Sequence, residues 1–160
     1  MKLPKNLFRH WQEASKIAII ESIKTFIAEC PYIAGFKRLC VDYLPEDTET
    51  YSIEEIPSQT ITKRFLDGSS ERQFVFVFAA RLFYSDEARN NIDNSGFNEN
   101  FAEWLEEETE KGNLPVLGAG KTAIKIEAMS SGYLFDISGD LSNARYQIQC
   151  RLIYDQEKGK

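Results

Sequence analysis

The chain has 160 residues, 42% of them hydrophobic and 28% charged, with a formal net charge of −6. That is enough chain for one domain burying about 70% of its unfolded surface without disulfide or metal staples, in ordinary globular proportions. The acidic balance argues against a nucleic-acid binder held by phosphate contacts, and no apolar run approaches a membrane-spanning length.

Residues 1–14 combine Lys2, Lys5, Arg9 and His10 with Leu7, Phe8 and Trp11. An N-terminal arm or short helix is expected here, with Phe8 and Trp11 as candidates for docking a partner or for packing back onto the domain. Residues 1–5 are followed by no apolar stretch, so no secretory signal is expected. From Ser15 on, Ile19, Ile20, Ile23, Phe26, Ile27 and Cys30 recur at three- and four-residue spacings. This predicts a helix over residues 15–29, ended by Pro31. Residues 39–43 read as a short strand closed by Pro45, and Glu46, Asp47 and Glu49 as a solvated loop. Tyr51, Ile53 and Ile56 mark a weak strand before Pro57, and residues 60–65 the next. Asp67, Gly68, Ser69 and Ser70 are turn residues, so a hairpin leads into the stretch that follows.

That stretch, Gln73 to Phe83, is the longest apolar run and is rich in Phe and Val, which suits a strand. Alternation sets Phe74, Phe76, Phe78 and Leu82 on one face and Val75, Val77, Ala79 and Phe83 on the other. A strand apolar on both faces belongs at the centre of a sheet, covered on each side. So short a chain has helices for one face only; the second is expected to need more chain or another copy of the protein.

Ser85 is placed to cap the next helix, while Asn90, Asn91, Asn94 and Gly96 predict a break near residues 94–96. Phe97, Phe101, Trp104 and Leu105 then resume helical spacing, opposite a solvated face of Glu99, Glu103, Glu106, Glu107 and Glu110, and Gly112 ends the helix. After a loop over residues 112–120, Ile124, Ile126 and Ala128 alternate with Lys125, Glu127 and Met129. Tyr133, Phe135 and Ile137 mark another strand. In the last, Tyr146, Ile148, Cys150, Leu152 and Tyr154 oppose Arg145, Gln147, Gln149 and Arg151. The expected fold is α+β: a largely antiparallel, or mixed, sheet with helices mainly on one face, forming a single domain over residues 15–155 with a polar tail at 156–160. Its core is expected to hold Ile20, Ile23, Ile27, Phe74, Phe76, Phe78, Phe101, Trp104, Leu105 and Ile148.

Motifs for chemistry are sparse. Gly118 to Thr122 resembles the end of a phosphate-binding loop, but the first glycine position holds Pro115, and Thr122 opens a strand pattern where the motif requires a helix. One histidine, His10, near the start of the chain, gives little footing for triad or zinc chemistry, and Cys30, Cys40 and Cys150 lack metal-ligand spacing and read as buried thiols. No cofactor, no metal and no enzymatic activity are expected.

Several segments in order carry a resemblance: Cys30-Pro31-Tyr32, Val41-Asp42-Tyr43-Leu44, Arg72-Gln73-Phe74, Asn94-Ser95-Gly96-Phe97, Gly112-Asn113-Leu114-Pro115, Ser131-Gly132-Tyr133-Leu134-Phe135, and the run from Ala144 to Cys150. Together, over about residues 15–155, the chain resembles minor capsid and tail-completion proteins of phages and prophages of Gram-positive bacteria, most of all the tail terminators of long-tailed phages and phage-tail-like particles. The resemblance implies an α+β subunit of a hexameric ring that caps the tail tube, stops its growth and meets the head. It implies as partners the protein itself, the tail tube protein and, beyond them, sheath and head–tail connector proteins. It places the protein in the host cytoplasm during assembly and then in the particle. Some relatives bear a chloramphenicol-resistance label; that acetyltransferase has Asp four residues after its catalytic His, where this chain has Ala14 after His10. Alternatives are a head–tail joining protein, and a monomeric binding module or enzyme of unknown activity. The expected subunit interface is the second sheet face, Val75, Val77 and Phe83 with Arg145, Gln147, Gln149 and Arg151, set against Glu46, Asp47 and Glu49 or the helical glutamates of a neighbour.

Overall fold

Two strands of fourteen residues form the spine of the molecule, β4 (Ser70–Phe83) and β7 (Asn143–Gln156). Around them lie β1 (Arg38–Val41), β2 (Thr50–Glu55), β3 (Ile61–Arg64), β5 (Lys121–Ala128) and β6 (Tyr133–Ile137), with helices α1 (Ile19–Ile27) and α2 (Ala88–Lys111). This computed structural model describes residues 17–33 and 38–159; the expected N-terminal arm, with Phe8 and Trp11, lies outside the described residues.

β4 and β7 pair antiparallel without a slip, from Ser70↔Gln156 to Phe83↔Asn143. The other edge of β4 is shared end to end by β3 and β2, and the outer edge of β7 by β5 and β6. The result is one seven-stranded sheet, antiparallel except where β1 runs parallel to β2. Parallel neighbours usually need a crossover of a dozen or more residues, yet residues 42–49 suffice here. The chain turns sharply at each end of that loop, with Asp42 at φ 55° and Glu49 at φ 61°. Its carbonyls find partners inside: the Thr50 hydroxyl donates to Asp47 O (2.6 Å) and Arg81 Nε to Pro45 O (3.3 Å).

Both helices cover the same face of the sheet. Ile23 and Ile27 of α1 and Phe101, Trp104 and Leu105 of α2 join Phe76, Phe78, Ile148 and Leu152 in one apolar core. The Phe78 and Phe101 rings stack at 4.2 Å between centroids. Fully burying such a side chain contributes about 1.5–3 kcal/mol. Eight of the ten expected core residues are buried; Ile20 and Phe74 are half-buried against the core's margin.

The structure departs from expectation at several places. No break occurs near residues 94–96; α2 runs through all 24 residues. The asparagines that weaken helix propensity make side-chain contacts instead: Asn90 and Asn91 bond locally to Ser85, and Asn94 reaches the sheet. Asn94 Nδ2 donates to the Phe83 carbonyl (2.7 Å) and the Tyr146 hydroxyl (3.3 Å). Asn98 is buried against Gly132, where any Cβ would fall 2.3 Å from its Cγ. Second, Ser85 does not cap α2. The N-cap is Glu87, and the Ser85 hydroxyl instead accepts from the Glu87 N–H (3.2 Å) and Asn90 Nδ2 (2.8 Å). Third, bulges between Ala123 and Lys125 and between Leu134 and Asp136 throw Ile124 and Phe135 out of alternation, leaving both exposed. Gly112 does end α2, at φ 77°, with Asn113 N–H returning to Glu108 O (2.9 Å). Gln156, expected in the polar tail, belongs to β7, and Glu157 N–H donates to Gly120 O (2.8 Å).

Candidate functional site

Directly opposed residues of a sheet share a face. The register sets Val75 beside Arg151, Val77 beside Gln149, Ala79 beside Gln147, Arg81 beside Arg145 and Phe83 beside Asn143. All seven interface candidates, Val75, Val77, Phe83, Arg145, Gln147, Gln149 and Arg151, therefore lie together on the face opposite the two described helices.

That face is not an open apolar surface. Val75 is 8% exposed, Val77 6% and Ala79 0% within a single chain, so the expectation that they need more chain or another copy to cover them is corrected. Long polar side chains from both flanking strands close over them. Arg145 of β7 reaches across β4 to Glu54 of β2, Nη2 to Oε2 at 2.7 Å, and its Nε donates to Gln147 Oε1 (3.1 Å). Gln147 Nε2 in turn donates to the Tyr133 hydroxyl. Toward the other end Arg151 Nε donates to Glu127 Oε1 (2.7 Å), which also receives Lys125 through its second oxygen (2.6 Å). Arginine stems are apolar and cover what lies beneath while the guanidinium stays paired. Partial burial works against the Glu127 charge, but the hydrogen bonds and charges of Lys125 and Arg151 outweigh it and hold its carboxyl below the usual range.

Arg145 and Arg151, expected to meet an acidic neighbour, thus have their charges engaged within the chain. Gln147 is buried and Gln149 half-buried. Of the seven, Phe83 alone is strongly exposed, at 60%. Two further exposed groups, neither of them among the interface candidates, lie on the β6 side of the sheet: Leu141 in the β6–β7 turn, and Phe135, over whose ring the Arg145 guanidinium sits at 5.1 Å. Alternation grouped Phe135 with Tyr133 and Ile137; its exposure comes from the bulge, which no local pattern announces.

Exposed apolar groups also mark the opposite edge, at Val41 and Tyr43. The two edges belong to one row of strands, traced residue by residue from Cys40 to Ser52, Ala79, Gln147 and Tyr133. Strand direction reverses at every step of that row except the first, so β1 and β6 run antiparallel to each other.

Elsewhere Gly118 to Thr122 runs through a turn into β5 and opens no helix. Among the described residues no three of His, Cys, Asp and Glu converge as a metal site, and no helix is long and apolar enough to cross a membrane; His10 is outside them. Cys30 and Cys150 are buried, which pushes both thiols up. The helical glutamates Glu99, Glu103, Glu106, Glu107 and Glu110 are all exposed. A scan against protein-family models found no match, and neither did a search of curated proteins.

Proposed function

We propose that the chain is a structural subunit of a phage tail, a tail terminator whose copies form a ring, most simply a hexamer, that caps the tail tube and joins it to the head. The sequence support is the ordered series of segments from Cys30 to Cys150 that resembles such proteins. The structural observation that carries the reading is the row from β1 to β6, which presents exposed apolar side chains at both of its ends. Because β1 and β6 are antiparallel, the β6 edge of one copy meets the β1 edge of a like-oriented neighbour in the sense that extends a sheet. Such a contact joins two different surfaces, so it propagates head to tail and closes when its rotation divides a full turn. The edges replace the paired arginines as the subunit contact, and the tube protein, with sheath and connector, meets the ring's rims.

The test is genetic and structural. Deleting the gene is expected to give tails of uncontrolled length without heads; tails of normal, defined length would overturn the reading. In the intact particle Val41→Lys together with Phe135→Lys is expected to abolish the terminal ring in images of tail ends.

A further inference from the structure

The row from β1 to β6 begins on a cation and ends on an anion. Traced through the register, Arg38 leads by Thr50, Arg81 and Arg145 to Asp136. The two adjacent lines join Leu39 to Leu134 and Cys40 to Tyr133. Opposed residues share a face. Arg38, Cys40, Tyr133 and Asp136 therefore lie on the face opposite the described helices, and Leu39 and Leu134 on the other. Leu39 belongs to the core there, whereas Leu134 is 43% exposed. Among the described residues β1 has β2 as its one strand neighbour and β6 has β7, so the outer backbone of each has no strand partner among them.

Arg38 and Asp136 are both exposed, and neither takes part in an ion pair among the described residues. The Arg38 guanidinium lies over the Tyr43 ring at 5.9 Å, and Asp136 Oδ1 accepts the Ile137 N–H at 2.9 Å. The sheet's other row, from β3 to β5, ends differently. There a line runs from Arg64 through Ser70 and Gln156 to Lys121, so continuing it into a second copy would set two cations side by side. Like charges directly opposed are destabilising, and charge thus selects the first pair of edges over the second.

We propose that copies of this chain join by adding β6 of one to β1 of the next in continuous register. Arg38 then lies beside the neighbour's Asp136, Leu39 beside its Leu134 and Cys40 beside its Tyr133. The faces fix this register: a slip of one residue turns every side chain to the wrong side, and a slip of two takes Asp136 away from Arg38. The same contact covers the exposed Leu134 with the Leu39 end of the neighbour's core. The pairing rests on the ring reading and names the residues that make its contact.

The test is made in assembled particles carrying Tyr133→Cys. Cys40 is partly exposed while Cys30 and Cys150 are buried, so the introduced thiol has one accessible native partner. Opposed strand residues have Cβ atoms about 4.5–5.5 Å apart, within a small adjustment of disulfide geometry. Mild oxidation is expected to give a ladder of covalent multimers on non-reducing gels, linked through peptides that contain positions 40 and 133. The ladder should vanish in Tyr133→Cys/Cys40→Ser. A second readout leaves Tyr133 in place. Arg38→Asp or Asp136→Arg alone is expected to lower the fraction of tail ends bearing a ring at least about tenfold, and the two together to restore it. Rings that form without the link, or that tolerate each charge reversal alone, would overturn the register and leave the ring reading standing. Should Tyr133→Cys not assemble, the charge reversals alone decide. Parent tail ends that bear no ring would overturn both.

Discussion

Arg145 and Glu54 meet at 2.7 Å although 91 residues separate them, and β4 lies between the strands that carry them. The bridge therefore passes over the Val77–Ala79 stretch, on the face opposite the two described helices. Both side chains are under one-third exposed, so solvent screens the pair only in part. Arg145→Ala is expected to cost about 1.5–3 kcal/mol, the range for a charge-assisted hydrogen bond, read from urea unfolding. A double-mutant cycle with Glu54→Gln should return a coupling of about 0.5 kcal/mol or more. Additive effects would mean that Val77 and Ala79 are covered by something other than the bridge.

Phe76 sits at the centre of the helical face, fully buried. Phe76→Ala should lower stability by about 3–5 kcal/mol through lost burial and the cavity left behind. A loss below about 1 kcal/mol would place β4 at the periphery of the core.

Two glycines should respond in opposite directions. Gly96 lies in α2 with open space around any added Cβ, so Gly96→Ala is expected to stabilise by about 0.5–1 kcal/mol. Gly132 faces the buried Asn98 side chain, and a Cβ there would sit 2.3–2.6 Å from it. Gly132→Ala should destabilise by about 1–3 kcal/mol, as overpacking does. Thermal melts of the two variants side by side decide the matter; equal shifts would refute the contact between α2 and the β5–β6 loop.

Alkaline pH should weaken the fold through Tyr51. Burial above all, then the charge of Glu49, pushes its phenol up to about 12 from an ordinary value of 10.0. The folded state thus favours the neutral phenol. Its contribution is intact below pH 10 and is lost as pH rises through about 12. Buried Cys30 and Cys150, likewise raised, act in the same direction. Denaturant midpoints should fall across this window, and less so in Tyr51→Phe; identical pH profiles for parent and variant would sink the assignment.

Much that has a short period was legible in the chain itself. Alternation along Gln73–Phe83 and Arg145–Tyr154 sorted the residues of each strand into the faces they occupy, because successive strand side chains point to opposite sides wherever the strand lies. Gly112 marked the end of α2 for an equally local reason, its tolerance of positive φ. Alternation failed where one inserted residue, Ile124 or Phe135, resets the phase.

What covers each face could not be read that way. Val75 and Val77 looked like a surface awaiting another subunit, and the tertiary structure instead leaves them nearly buried in one chain, with Arg145 reaching across β4 to Glu54 and Arg151 paired with Glu127 on the far side of β7. Those pairings depend on the register of β2, β4, β5 and β7, set by contacts between segments far apart in sequence. The same holds for Asn94. Its poor helix propensity is a property of the residue, whereas its hydrogen bonds to Phe83 and Tyr146 exist only once α2 has packed on the sheet. Local chemistry decided which side chains point together, and long-range pairing decided which charges were already engaged and which apolar edges were left exposed.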